Sequence, residues 1–225
     1  MPEKLTRSLP WLVIASALLT ILSQDVSVLP RELGWITKPL TTILIMVYAW
    51  PRGQGTPLLR RFVLIGLACS LLGDVVLMIP GGFVPGLLAF LAAHLAYLWA
   101  FTRVQRFASW PWSFAAYGFL AASFLAFLWP GIPSALLVPV VAYVLCLGSM
   151  SAQTAVIGFR ARGTELASRA TTLAFGGMFF FASDGLLAFN KFDGPQPLAS
   201  LAVLPTYWAA QWCIANWLAP QTKAE

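Results

Sequence analysis

Two carboxylates stand in stretches of this sequence where charge is costly. Asp74 lies in "SLLGDVVLMIP" and is the single charged residue between Phe62 and Phe101, while Asp184 lies in "FFFASDGLLAFN". On insertion scales an aspartate at the centre of a membrane helix costs roughly 2.5–3.5 kcal/mol. Two such groups at one depth suit proton handling, because like charges in a poor solvent hold a proton between them. His94 and Tyr97 in "AAHLAYLWAF", and Tyr207 and Gln211 in "LPTYWAAQWCIAN", are the polar groups that could assist. Each also has a plainer reading: a packing tyrosine with one hydrogen bond, a structural histidine, a glutamine that stitches helices together. Other chemistries lack their residues. There is no GxSxG elbow, HExxH, paired CxxC or Walker loop. One histidine cannot build a multi-histidine metal site. What remains is acid–base work by carboxylates, with no metal or organic cofactor called for.

Helices must position these groups. Of 225 residues, 59% are hydrophobic and 10% charged, with mean hydropathy +0.78. A soluble domain carries about 25% charged residues, so this chain cannot cover itself with a water-facing surface. The composition indicates an all-α integral membrane protein. Eight apolar stretches can be cut from it: 9–28, 35–50, 61–79, 83–101, 111–129, 133–157, 171–189 and 198–218. Most reach the ~20 residues that cross ~30 Å of hydrocarbon; the second is short and the sixth long. Continuous apolar runs without period-2 alternation point to helices rather than a barrel. "PGGFVPG" (80–86) and "WPGIP" (129–133) read as tight turns. Residues 1–225 therefore read as a single multi-pass membrane domain. The N-terminal basic-then-apolar segment imitates a signal peptide, but without a small-x-small cleavage site it reads as an uncleaved first span. Cys69, Cys146 and Cys213 all fall in predicted helices and read as packing residues.

Basic residues orient the spans. Eleven (Lys4, Arg7, Arg52, Arg60, Arg61, Arg103, Arg106, Arg160, Arg162, Arg169 and Lys223) fall on the side shared by both termini. Arg31 and Lys191 fall on the other, with Lys38 just inside a helix. The positive-inside rule then places both termini in the cytoplasm, in an inner or plasma membrane. The net charge of +6 follows from this bias and gives no reason to expect nucleic acid as a partner. With this orientation Asp74 and Asp184 come to nearly the same depth, in the outer half of the bilayer. Gly66, Ser70, Gly73 and Asp74 share one helical face, and small residues there permit close approach of a neighbour. Gly177, Phe181, Asp184 and Lys191 share another. Asp74 to Asp184 and Tyr97 to Tyr207 are both 110 residues apart, which suggests two parallel four-helix halves, 1–110 and 111–225. The first and fifth spans do not keep that offset.

Five segments, in order and spacing, carry a family resemblance: "TKPLTT" (37–42), "CSLLGDVVLM" (69–78), "AHLAYLWAF" (93–101), "GGMFFFASDGLLAFNKF" (176–192) and "YWAAQ" (207–211). The chain resembles the YhhN family of eight-span membrane proteins over its second, third, fourth, seventh and eighth spans, while the fifth and sixth carry no such match. Members with a known activity are lysoplasmalogenases, so the resemblance implies hydrolysis of a vinyl ether to a fatty aldehyde and a glycerophospho head group. It implies a lysophospholipid-like substrate and puts the family's two aspartates on Asp74 and Asp184. Its remaining polar positions fall on Lys38, His94, Tyr97, Ser183, Tyr207 and Gln211. Ser70, Asn190 and Lys191 complete the expected substrate-binding set. A vinyl ether hydrolyses when an acid protonates its β-carbon and water captures the resulting oxocarbenium ion, a division of labour that resembles glycosidase carboxylate pairs. Such a substrate needs an oily groove with a cationic mouth, for which Lys38 and Lys191 are the candidates. A transporter using the Asp pair as a proton relay is the alternative that the residues leave open.

Overall fold

The structure is a computed structural model that describes residues 3–24, 26, 28–194 and 197–220, with side chains from residue 7 in the first helix and from residue 201 in the last. The side chain of Lys4, Lys223 and both ends of the chain lie outside the described residues. The backbone forms α1 (Glu3–Gln24), α2 (Arg31–Ala49), α3 (Pro57–Val76), α4 (Phe83–Thr102), α5 (Pro111–Leu128), α6 (Leu137–Arg160), α7 (Ala167–Phe192) and α8 (Pro197–Trp217). Two 3-10 turns, Trp129–Gly131 and Ser134–Leu136, connect α5 to α6. Among the described residues, eight helices answer the eight expected stretches, with shifts that have local causes. Pro30 precedes α2, so the short second stretch becomes a helix of 19 residues. Pro80 and Gly81, with Gly81 at φ +79°, end the run that the sequence carries to residue 79. Helix α3 therefore stops two residues after Asp74. The aspartate sits at a helix end rather than deep within a helix, and is sealed there by its neighbours.

Among the described residues, five helices, α1 and α4 to α7, are long and apolar enough by length and composition to cross a membrane. Trp11, Phe119 and Val138 expose 72%, 71% and 79% of their surface, which contiguous soluble surfaces do not tolerate. Between helices, hydroxyls supply the glue. Ser16 donates to the Thr37 carbonyl at 3.0 Å, Thr20 to Thr37 Oγ1 at 2.8 Å, and Thr41 to Ser16 Oγ at 2.9 Å, which laces α1 to α2.

The arginine-rich loops gather at one end. Arg52 Nε donates to the Leu218 carbonyl at 3.0 Å and Arg169 donates to that of Trp217. Arg160 donates to the Ser109 carbonyl. The loop after α2 and the start of α7 thus meet the end of α8, and the loop after α4 meets the end of α6. Guanidinium groups lie over aromatic rings at this end: Arg52 on Tyr48, Arg103 on Trp99 and Arg169 on Trp217, at 4.6, 4.5 and 5.6 Å from the ring centroid. At the opposite end Lys191 Nζ stands 4.7 Å from the centroid of Phe83.

Candidate active site

Helices α2, α3, α4, α6, α7 and α8 bring polar side chains into an otherwise apolar interior. The small face of α3 meets α4 as its residue sizes anticipate. A Cβ on Gly66 would collide with the Tyr97 ring, and one on Gly73 would lie 2.6 Å from Phe90. Close approach carries Asp74 inward until only 2% of it is exposed. There Thr42 Oγ1 donates to its Oδ2 at 2.7 Å and the Tyr207 hydroxyl donates to the same oxygen at 2.8 Å. Tyr97 donates to Gln211 Oε1 at 2.7 Å, tying α4 to α8 beside this site. Ser70 is fully buried next to Tyr97. Lys38 is half-buried on α2, close enough to Asp74 for their charges to interact.

Asp184 forms the second carboxyl site. The Tyr143 hydroxyl donates to its Oδ2 at 2.5 Å, and His94 Nε2 stands 3.6 Å from that oxygen, beyond hydrogen-bond distance. His94 is fully buried, edge-on to Tyr143 and Phe180 with centroids 5.3 and 4.6 Å away. Phe180 also packs against Tyr207 at 5.6 Å and Tyr97 at 6.3 Å, so one buried ring touches residues of both carboxyl sites, whose charges are near enough to interact. The wiring is the same on both sides. Each aspartate takes a hydroxyl donor from the helix before its own, Thr42 of α2 or Tyr143 of α6. Each takes its second neighbour from a more distant helix, Tyr207 of α8 or His94 of α4.

The two sites differ in what they face. Asp184, with 9% of its side chain exposed, borders a cavity of about 530 Å³ between α4, α5, α6 and α7, within the usual range for small-molecule sites. Its remaining lining is apolar apart from the Tyr143 hydroxyl. Asp74 does not line it. The expected binding residues accordingly separate. Asp184 fronts the cavity, and Lys191 stands by Phe83, which forms part of its wall. Lys38, Tyr97, Tyr207 and Gln211 gather on the Asp74 side. Ser183 Oγ is turned to the Val203 carbonyl at 2.9 Å and joins α7 to α8. Asn190 is half-buried six residues beyond Asp184. Among the described residues no three His, Cys, Asp or Glu side chains cluster, and the three cysteines are unbridged.

Sequence reasoning passed over Thr42 and Tyr143. Thr42 closes the "TKPLTT" segment but looks like any helix threonine. Tyr143 lies six residues inside α6 and Asp184 eight residues from the end of α7. For antiparallel neighbours joined by a short loop at the other end, that places them at similar depth, which was the available signal.

The YhhN family model matches residues 33–218, which contain every residue of the site. Lysoplasmalogenase TMEM86B of Homo sapiens is 32% identical over 188 residues, covering 80% of this chain and 74% of its own length. Lysoplasmalogenase TMEM86A of Homo sapiens is 32% identical over 191 residues, covering 83% and 78%. An uncharacterized membrane protein YhhN of Escherichia coli O157:H7 is 33% identical over 122 residues, covering 53% and 58%. No solved structure matches the chain. With a family match across most of its length, and apolar helices like those of its membrane-protein relatives, the chain is an integral membrane protein and a member of the YhhN family.

Proposed function

We propose that this protein is an intramembrane hydrolase of the lysoplasmalogenase type, cleaving the vinyl ether of a lysoplasmalogen to a fatty aldehyde and a glycerophospho head group. The observation that carries the reading is an apolar cavity whose wall presents one carboxyl and one phenol, Asp184 and Tyr143. A hydrocarbon chain needs the former and its reactive bond needs the latter. The lysoplasmalogenase names of the relatives favour hydrolysis over proton-coupled transport.

The geometry suggests a division of labour. Tyr143 donates to Oδ2 of Asp184, so that oxygen is an acceptor and the proton of the acid form sits on Oδ1. Asp184 gives this proton to the β-carbon of the vinyl ether, leaving a carboxylate beside an oxocarbenium ion. Water adds to the cationic carbon and returns a proton to the carboxylate. The hemiacetal then collapses to aldehyde and alcohol, with one water consumed. Asp74, held by Thr42 and Tyr207, contributes a fixed negative charge behind Phe180 that favours the cation. Tyr97, Gln211, Ser70 and His94 hold the two carboxyl sites in place, Ser183 fixes α7 against α8, Lys38 sets the charge beside Asp74, and Asn190 and Lys191 lie toward the head group. In the same reading the basic end faces the cytoplasm, all eight helices span, and residues 1–110 and 111–225 are related halves.

The test is aldehyde release from a lysoplasmalogen by detergent-purified protein, with the saturated-ether analogue as the uncleaved control. Wild-type protein should release aldehyde, and Asp184→Asn and Asp74→Asn should each lose about 10²–10⁴-fold in turnover while remaining folded. No aldehyde from the wild type would overturn the assignment, and normal release by either variant would remove that residue from the mechanism.

A further inference from the structure

The cavity at Asp184 continues along the lipid-facing helix. A second cavity of about 270 Å³ lies between α5 and α6 and shares Ala121, Leu125 and Val144 with the first. Together their walls run along α5 from Leu128 to Phe114, ~21 Å at 1.5 Å per residue. One leaflet of a bilayer is about 15 Å of hydrocarbon, the depth that one lipid chain spans. The path has a direction. From Tyr143 it follows α6 toward Ser149 and the arginine-rich end, where the lining loses its carboxyl and passes Gly118 and Gly148. The other way it ends at Phe83 and Phe192, where the Lys191 ammonium stands.

We propose that the joined α5–α6 groove is the binding site for the single hydrocarbon chain of the substrate, with the chain running from Asp184 toward the arginine-rich end and the phosphate toward Lys191. This rests on the hydrolase reading for the identity of the bond at Asp184, while the groove's preference for a chain stands apart from it. Ala121, where the two cavities meet, sets how far a chain can extend past the carboxyl. Its Cβ lies 3.9 Å from where a Cβ on Gly148 would stand, so the passage is bounded by these two positions. A Cβ on Gly118 meets nothing within 4 Å, which leaves room for a side chain there.

Ala121→Phe should plug the junction, and Gly118→Leu should shorten the groove beyond it. Neither residue touches the carboxyl machinery. The experiment compares kcat/KM for a long-chain and a medium-chain lysoplasmalogen in detergent-purified wild type and both variants, with thermal unfolding as the folding control. Each methylene turned out of the groove costs about fourfold in affinity, so displacing two or three lowers the long-to-medium ratio about 16- to 64-fold. Activity on the medium-chain substrate should persist. An unchanged ratio in folded variants would overturn the groove assignment while leaving hydrolysis intact. If Ala121→Phe fails to fold, Gly118→Leu decides the matter by the same ratio. A second arm uses a dansylated long-chain fatty acid as probe on Asp184→Asn protein, where no turnover occurs. Saturable binding that Ala121→Phe or Gly118→Leu weakens supports the chain site even if no protein releases aldehyde, an outcome that would refute the hydrolase reading alone. Equal probe binding in all folded proteins would overturn the groove.

Discussion

Replacing Tyr143 by phenylalanine deletes one oxygen and leaves the ring in place. That ring is buried and edge-on to His94 at 5.3 Å, so its packing volume is retained. What is lost is the hydroxyl that donates to Asp184 Oδ2 at 2.5 Å. His94 does not take over, because its Nε2 is 3.6 Å from that oxygen. A hydrogen bond to a charged group is worth about 1.5–3 kcal/mol. In the proposed reaction the charge on Asp184 appears as the proton leaves, so the bond matters most in the transition state and the deficit falls on kcat. At 1.36 kcal/mol per tenfold, the turnover of Tyr143→Phe should drop about 10- to 150-fold, with KM within about twofold because the loss is confined to the transition state. The assay is aldehyde release from a lysoplasmalogen, coupled to an aldehyde reductase, with substrate varied through KM. Tyr117→Phe is the control. Tyr117 stacks edge-on against Phe181 at 5.3 Å, near the cavity but, among the described residues, bonded to no carboxyl, and its loss should leave kcat unchanged. If Tyr143→Phe kept wild-type kcat while Asp184→Asn was inactive, Tyr143 would have no part in stabilising the carboxylate. A rise in KM alone would make its hydroxyl a binding group instead.

Three further outcomes follow from the arrangement. Lys191→Gln should raise KM for a phosphate-bearing substrate with little change in kcat, whereas Lys38→Gln, which removes a charge near Asp74, should lower kcat more than it raises KM; steady-state kinetics of the two variants separate these effects. Gly66→Val drives side-chain atoms into the Tyr97 ring and should cost about 1–3 kcal/mol, read as a lower unfolding temperature in detergent, while Gly55→Ala, with nothing within 4 Å of the added Cβ, should not. Cysteine labelling of intact cells should find the loops of residues 103–110 and 161–166 on the cytoplasmic side, and labelling there from outside would reverse the orientation.

Much of this protein was determined by local chemistry that a sequence displays. Apolar runs near 20 residues long had to become helices, because hydrocarbon offers no partner for backbone amides. Eight appeared, with ends moved by Pro30, Pro80 and Gly81. Glycines on the Asp74 face marked where α4 could approach, and Gly66 and Gly73 indeed lie under Tyr97 and Phe90. The aspartates were legible because an unpaired carboxyl is so costly in such a segment. Their partners were not. A tyrosine or threonine in an apolar helix is cheap, so Tyr143 and Thr42 carried no mark of their role until folding placed a carboxyl 2.5 and 2.7 Å away. The contact of Phe180 with residues of both carboxyl sites, and the presence of Asp184 but not Asp74 at the cavity, were likewise beyond one-dimensional reading. Periodicity tells which face of a helix is turned inward, but not which of several inward groups will touch. The cavity itself is a difference between the volume enclosed by four helices and the volume their side chains fill. No single residue encodes that difference, and only tertiary packing decides it.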